Sequence, residues 1–364
     1  MAEILRRLPV AEPHPDGRLF VDAVMGRAHP QRAPLVEYLI DDALRKPIVE
    51  DLLGGHWVHP QPGDRASREA YLDNFVCFSY RLGYDILRYE RALPFSQHSV
   101  LGADATTLGG QRAWRDQHCG AITTWEDLDR YAWPVVTPEY LADYEYLAGH
   151  LPEGMGLVVC HAGGVYEHLS ALMSYEGLCL ALYDQPDLVA AVAQRIGECM
   201  LDVYRQLVEL NGVVAIFPGD DMGFRSATLL SPDALRRLTL PWHRRYAALA
   251  HARGLPYFLH SCGNLVEIMD VLVGDVGIDA KHSFEDAILP AAAFQERWGE
   301  RLGVLGGVDV DILTRRTPEE VRAATRALIE TCHPRGRFAV GSGNSIPSYV
   351  PVDNYLAMLD EALR

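Results

Sequence analysis

The sequence predicts a (β/α)8 barrel, and three observations predict it. Eight short apolar runs of strand character alternate with segments of helical period. Residues able to do chemistry collect where those runs end. The rival architecture, an open doubly wound sheet, is weakened because no Gly-x-Gly-x-x-Gly follows the first run. The chain has 364 residues, 49% hydrophobic and 23% charged. That is enough to bury a large core. A barrel of this kind typically takes roughly 250 residues. The surplus fits an N-terminal extension at 1–33 and an inserted hairpin or lid at about 94–135. Residues 34–364 then form a single barrel domain.

Taken in order, the strand candidates are 34–40, 84–89, 156–161, 212–217, 256–260, 277–282, 302–308 and 337–340. The 94–135 section is rich in glycine and carries a capped helix start at Thr124. Leu188, Val189, Val192 and Ile196 form the 3.6-residue stripe of a helix opened by Gln185 and Pro186. Ser231 before Pro232 is an N-cap with proline in the first turn. Thr317, Pro318 and Glu320 make a capping box. A last helix carries Val352, Tyr355, Leu356 and Leu359 on one face.

The net charge of −16 argues against nucleic acid and anionic membrane surfaces. Both need basic partners. No apolar run approaches the roughly 18 residues of a membrane span. The N-terminus lacks the apolar core of a signal peptide. Seven scattered cysteines, odd in number and without CxxC pairs, fit a reducing cytoplasm.

In (β/α)8 barrels catalysis sits at the C-terminal ends of the strands. There the sequence places His161, Asp220, Asp221, His260, Cys262, His282, Asp309, Ser342 and Asn344. His260 and Cys262, two apart on a strand end, share a face. An imidazole and a thiolate so placed are two of the three protein ligands a catalytic zinc needs. Each residue also has a plain structural reading. One of Asp220 and Asp221 can cap a helix, Asp309 can do the same, His161 can serve a turn and Tyr166 can simply pack. His98, His118 and His168 are read as structural or surface residues. Cys332 and His333 precede the last strand, at the opposite rim.

The runs Gly219–Gly223, His260–Gly263, Leu305–Asp309 and Gly341–Pro347 resemble the uroporphyrinogen decarboxylase superfamily, over about 34–364 and most clearly in the closing 120 residues. The resemblance implies a (β/α)8 barrel enzyme of one of two branches. The decarboxylase branch uses no metal and holds substrate propionates with paired arginines after the first strand. Here Tyr38–Lys46 lacks that pair and carries Asp41 and Asp42. The other branch comprises corrinoid-linked methyltransferases. It binds zinc through His-x-Cys on the fifth strand and a second cysteine on the eighth. His260 and Cys262 match the first part, and Ser342 stands at the second cysteine position. His282, Asp220 and Asp309 are then candidates to complete the site, with His282 favoured.

The resemblance therefore implies a zinc-assisted methyl transfer or O-demethylation of a small molecule. The corrinoid would be carried by a separate protein, because no Asp-x-His-x-x-Gly signature is present, and a homodimer is suggested. In that reading Asp220, Asp221, His282 and Asp309 serve catalysis. His161, Tyr166, Ser342 and Asn344 bind substrate, and His260, Cys262 and His282 hold metal. The alternatives are a metal-free decarboxylase or lyase on the same barrel and a tetrapyrrole-binding protein.

Overall fold

The interior of the molecule is a ring of inward side chains, one or two from each of eight segments: Val36 and Tyr38, Ile86, Val158, Ala215 and Phe217, Phe258, Ala280, Leu305 and Ala339. The computed structural model describes residues 5–103 and 111–364. Around that ring run β1 (Ile86–Arg91), β4 (Gly156–His161), β5 (Val213–Ile216), β6 (Phe258–His260), β7 (Ala280–His282), β8 (Gly303–Leu305) and β9 (Phe338–Ala339). Between the first two lies an antiparallel hairpin, β2 (Ser99–Ala103) with β3 (Gln111–Arg115). The expected hairpin is therefore present inside the 94–135 section.

All other pairings between these strands are parallel. They form two sheets, β1-β4-β5 and β6-β7-β8-β9. An Ile216–Tyr257 bridge links the two, and Leu35–Val340 and Ile40–Ile346 bridges attach the 34–40 segment beyond β9. Helices Pro186–Leu207, Leu240–Ala252, Ala291–Trp298 and Pro318–Cys332 alternate with the later strands. The result is a parallel α/β fold consistent with a (β/α)8 barrel. Among the described residues no pairing joins β1 to 34–40. That segment is held by isolated bridges and is less regular than its apolar sequence suggests.

The Gly17–Val24 helix closes the end of the ring at the strand N-termini. It places Phe20, Val21 and Val24 in the interior cluster. Its approach depends on glycine, since a Cβ on Gly17 would lie 2.5 Å from the Gly156 nitrogen. The caps expected at Ser231, Thr317 and Thr124 are all formed.

Outside the ring, Asp143 on the Pro138–His150 helix is 1% exposed and receives Arg65, Arg68 and Arg91. Tyr89 adds a hydrogen bond at 2.8 Å. Burial would raise this carboxyl's pKa, but the Arg68 and Tyr89 hydrogen bonds and the arginine charges outweigh burial and lower it. Asp143→Asn is expected to cost about 2 kcal/mol in urea unfolding, a figure discounted because the arginines are partly exposed. A carboxyl with a lowered folded pKa contributes stability above its unfolded value. The difference from wild type is thus full above about pH 5 and fades as pH falls through about 3.9 toward the lower folded value.

Candidate functional site

Three ligand-type side chains meet beyond the ends of β5 and β6: Asp221, His260 and Cys262, with one donor atom from each lying within 4.8 Å of the others. The chain after β5 runs alongside β6. The His260 amide donates to Pro218 O and the Asp220 amide to His260 O. Consecutive residues of an extended segment point to opposite sides. Asp221 therefore faces the mouth, and Asp220 faces the helices. Asp221 accepts the Cys262 amide at 2.9 Å. His260 Nε2 lies 3.4 Å from Cys262 Sγ and 3.5 Å from Asp221 Oδ1.

The orientation of His260 is over-determined. Parallel register sets His260 beside His282. Their Nδ1 atoms are 2.7 Å apart, so one donates and the other accepts. His282 Nε2 faces the Ser342 carbonyl at 3.2 Å. A carbonyl can only accept. His282 thus carries its proton on Nε2 and accepts at Nδ1 from His260. That leaves the His260 Nε2 lone pair free toward Cys262 and Asp221. Burial pulls both imidazole pKa values down, with His260 further depressing His282 and Asp221 opposing the shift at His260. Tyr38 stacks on the His260 ring at 3.9 Å and 12°. The Arg88 guanidinium covers Tyr38 at 3.5 Å. Burial first and Asp221 second push the Cys262 thiol up to about 12. Asn344 Nδ2 approaches Cys262 Sγ at 3.3 Å and Ser283 Oγ at 3.4 Å.

Several expected site residues are committed elsewhere. His282 is not a third donor beside Cys262, because both its nitrogens are used behind His260, and Asp221 takes that place. Asp220 is fully buried. It accepts the Tyr166 and Glu167 amides at the start of the Val165–Leu172 helix and His243 Nε2 at 2.9 Å. A Cβ on Gly164 would fall 2.0 Å from the Asp220 Cγ, so that helix start is built around the carboxylate. Asp309 is the N-cap of the Val310–Arg315 helix and also accepts the Asp286 amide. His161 Nε2 accepts the Leu93 amide, and Nδ1 contacts Gly163 O. Burial lowers the His161 pKa to about 4, so it stays neutral. Tyr166 packs in the main core. Ser342 is buried, and its hydroxyl and amide both engage Glu37. Of the expected substrate residues, Asn344 alone reaches the group among the described contacts.

The sequence reading missed Tyr38, Arg88, Glu37, His243 and Lys281. Only Tyr38 carried a usable signal, as an inward position of the first apolar run. The Tyr38–Lys46 run contributes one arginine, Arg45, and three more come from outside it. Arg45, Arg68, Arg88 and Arg91 line a cavity of about 530 Å³ beside Tyr38. Arg68 and Arg88 are largely committed to protein partners. Arg88 makes five contacts, two of them to Phe217 O and one to Tyr38 O. Arg68 and Arg91 serve Asp143.

The family pattern described as uroporphyrinogen decarboxylase (URO-D) matches residues 121–364. The chain belongs to the URO-D family. No curated protein matches the sequence. Among solved structures, a putative vitamin-B12 independent methionine synthase from Listeria monocytogenes is 11% identical. The alignment covers 92% of this URO-D chain and 98% of that one, with a TM-score of 0.52. At that identity the likeness speaks to fold alone. The intracellular xylanase TsXylA from Thermoanaerobacterium saccharolyticum aligns over 79% and 84% of the two chains at 10% identity, with a TM-score of 0.37, too low to carry an argument. No helix among the described residues is long and apolar enough to cross a membrane.

The adjacent aspartates should separate in experiment. Asp220→Ala removes a fully buried acceptor and is expected to cost on the order of 3 kcal/mol in urea unfolding. The Asp221 side chain is 42% exposed. Its change to alanine should cost less than about 1 kcal/mol. Equal losses would contradict the opposite orientations.

Proposed function

We propose that this URO-D family member is a zinc-assisted methyltransferase of the corrinoid-linked branch. It would exchange a methyl group between a small molecule and a separate corrinoid protein in the cytoplasm. We further propose that the eight segments of the 34–364 domain close into a (β/α)8 barrel at the 34–40 seam, with the 94–135 section inserted. Support for closure comes from the complete interior ring and from Arg88 on β1, which donates to Tyr38 O across the seam at 2.6 Å.

The observation that carries the functional reading is the Asp221–His260–Cys262 group. One nitrogen, one sulfur and one oxygen donor suit a catalytic zinc, which takes three protein ligands and leaves its fourth position to water or substrate. When bound, the ion supplies a Lewis acid able to activate a substrate thiol or stabilise a departing alkoxide. The protein residues prepare that site. His282 fixes the tautomer that aims the His260 lone pair, the usual service of a group behind a metal-bound imidazole. Cys262 gives up its proton as the site fills, so binding strengthens with pH. Asn344 offers an N–H to the sulfur. Tyr38 shields one face of His260 from water. Asp221, on the exposed side, supplies the oxygen donor, and against partial burial the neighbouring His260 and the Cys262 amide hold its carboxyl down to about 2, ionised and ready to bind.

Elemental analysis tests the reading. Protein reconstituted with zinc should hold about one equivalent. His260→Ala and Cys262→Ala should each lose it, and Asp221→Ala should bind roughly 10- to 100-fold more weakly. Clearly sub-stoichiometric zinc with no gain on reconstitution would leave the metal-free lyase as the better reading.

A further inference from the structure

We propose that Lys281 is a positioning residue for the Asp221–His260–Cys262 group, a built-in cation that ties together the segments carrying it. The inference rests on the metal-site reading above. Lys281 lies on β7 next to His282 and, by strand alternation, points away from it. The residue is 5% exposed. Such burial is unusual for a lysine. Its ammonium donates to three backbone carbonyls: Ser261 at 3.5 Å, His282 at 3.2 Å and, closest, Ser283 at 2.5 Å. Three N–H groups meet three acceptors, so its donor capacity is used. The Phe284 ring stands 4.6 Å from Nζ and the Phe294 ring 5.7 Å. Both rings add cation–π attraction. Among the described residues no carboxylate comes within ion-pair distance of it.

Those carbonyls are not arbitrary. Ser261 sits between His260 and Cys262, and its hydroxyl accepts the Met222 amide at 3.2 Å, next to Asp221. Ser283 follows His282 and has φ of +85°. That left-handed conformation costs a non-glycine residue about 1–3 kcal/mol. The held conformation keeps Ser283 Oγ beside Asn344 Nδ2, which in turn reaches Cys262 Sγ. Through one or two links Lys281 therefore fixes all three backbone segments of the group. It also places a positive charge behind a donor set in which Cys262 and Asp221 are both anionic once the site is filled. Replacing the ammonium with a neutral chain leaves His282 O with the Ser261 amide at 3.4 Å, strips the Ser261 and Ser283 carbonyls of the donor they share, and frees the strained turn to relax.

The test uses Co²⁺ as a visible probe of the site, with thermal melting to confirm folding. Wild type should bind Co²⁺ and show a thiolate-to-metal charge-transfer band. Lys281→Met should bind roughly tenfold or more weakly, the usual effect of removing a group behind a metal site, with a diminished band. Lys281→Arg, which keeps the charge, should retain more affinity than the methionine variant. Lys281→Ala should recover affinity when n-propylammonium is added, because that ion replaces the missing atoms. Unchanged affinity and band in Lys281→Met, or no response of Lys281→Ala to n-propylammonium, overturns the inference while leaving the metal site standing. Failure of wild type itself to bind Co²⁺ overturns both.

Discussion

The parallel register of β6 against β7 is the constraint on which the site depends. It sets two imidazoles side by side and forces their Nδ1 atoms to share one proton. A single backbone carbonyl, that of Ser342, then settles which ring donates. The reactive direction of His260 is thus decided from a distant part of the sequence, just beyond β9, by a group with no side-chain chemistry. A one-residue slip of either strand would turn that strand's histidine to the opposite face and break the pair.

The two ends of the ring have different physical characters. At the strand N-termini Phe20, Val21 and Val24 fill the interior with apolar volume. Toward the C-terminal ends Glu37, Arg88, His260, Lys281 and His282 are buried. Such groups destabilise a fold unless their hydrogen bonds are met. Arg88 and Lys281 meet theirs largely with backbone carbonyls at strand ends, where the sheet ladder leaves acceptors over. Burial pushes the Glu37 pKa up to about 8, against the opposing Ser342 bonds, so the acid is mostly neutral at neutral pH. The polar half therefore carries less net charge than its composition implies. It is organised by donors and acceptors more than by ion pairs.

The strand order, the inserted hairpin, the helix caps and the His260–Cys262 pair were legible because each depends on local pattern: period, turn chemistry or spacing. Direction was not legible. Asp220 and Asp221 are identical in type and adjacent, yet one anchors a helix start contributed by a distant segment and the other faces the mouth. Asp309, His161 and Ser342 stand at strand ends as expected, but beside a local partner each also engages one 23 to 305 residues away. A reading by residue type counts such groups as available. The irregular 34–40 segment was overestimated for a related reason, since apolar character specifies burial and does not specify a continuous ladder.

The substitution that looked like a loss at the proposed metal site acquires another meaning in three dimensions. With Ser342 turned toward Glu37, no thiolate from the segment after β9 joins the group. Asp221 enters from the neighbouring strand end and restores a donor of the same charge, so a filled site would keep one neutral and two anionic ligands. What changes is softness. Carboxylate oxygen is a harder donor than thiolate and gives less electron density to a bound cation. A site with one sulfur is accordingly a stronger Lewis acid than a site with two, and suits activation of an oxygen leaving group better than activation of a thiol. Within the proposed methyl-transfer chemistry, the Asp221–His260–Cys262 set therefore favours demethylation of an oxygen-bound methyl group over methylation of a thiol.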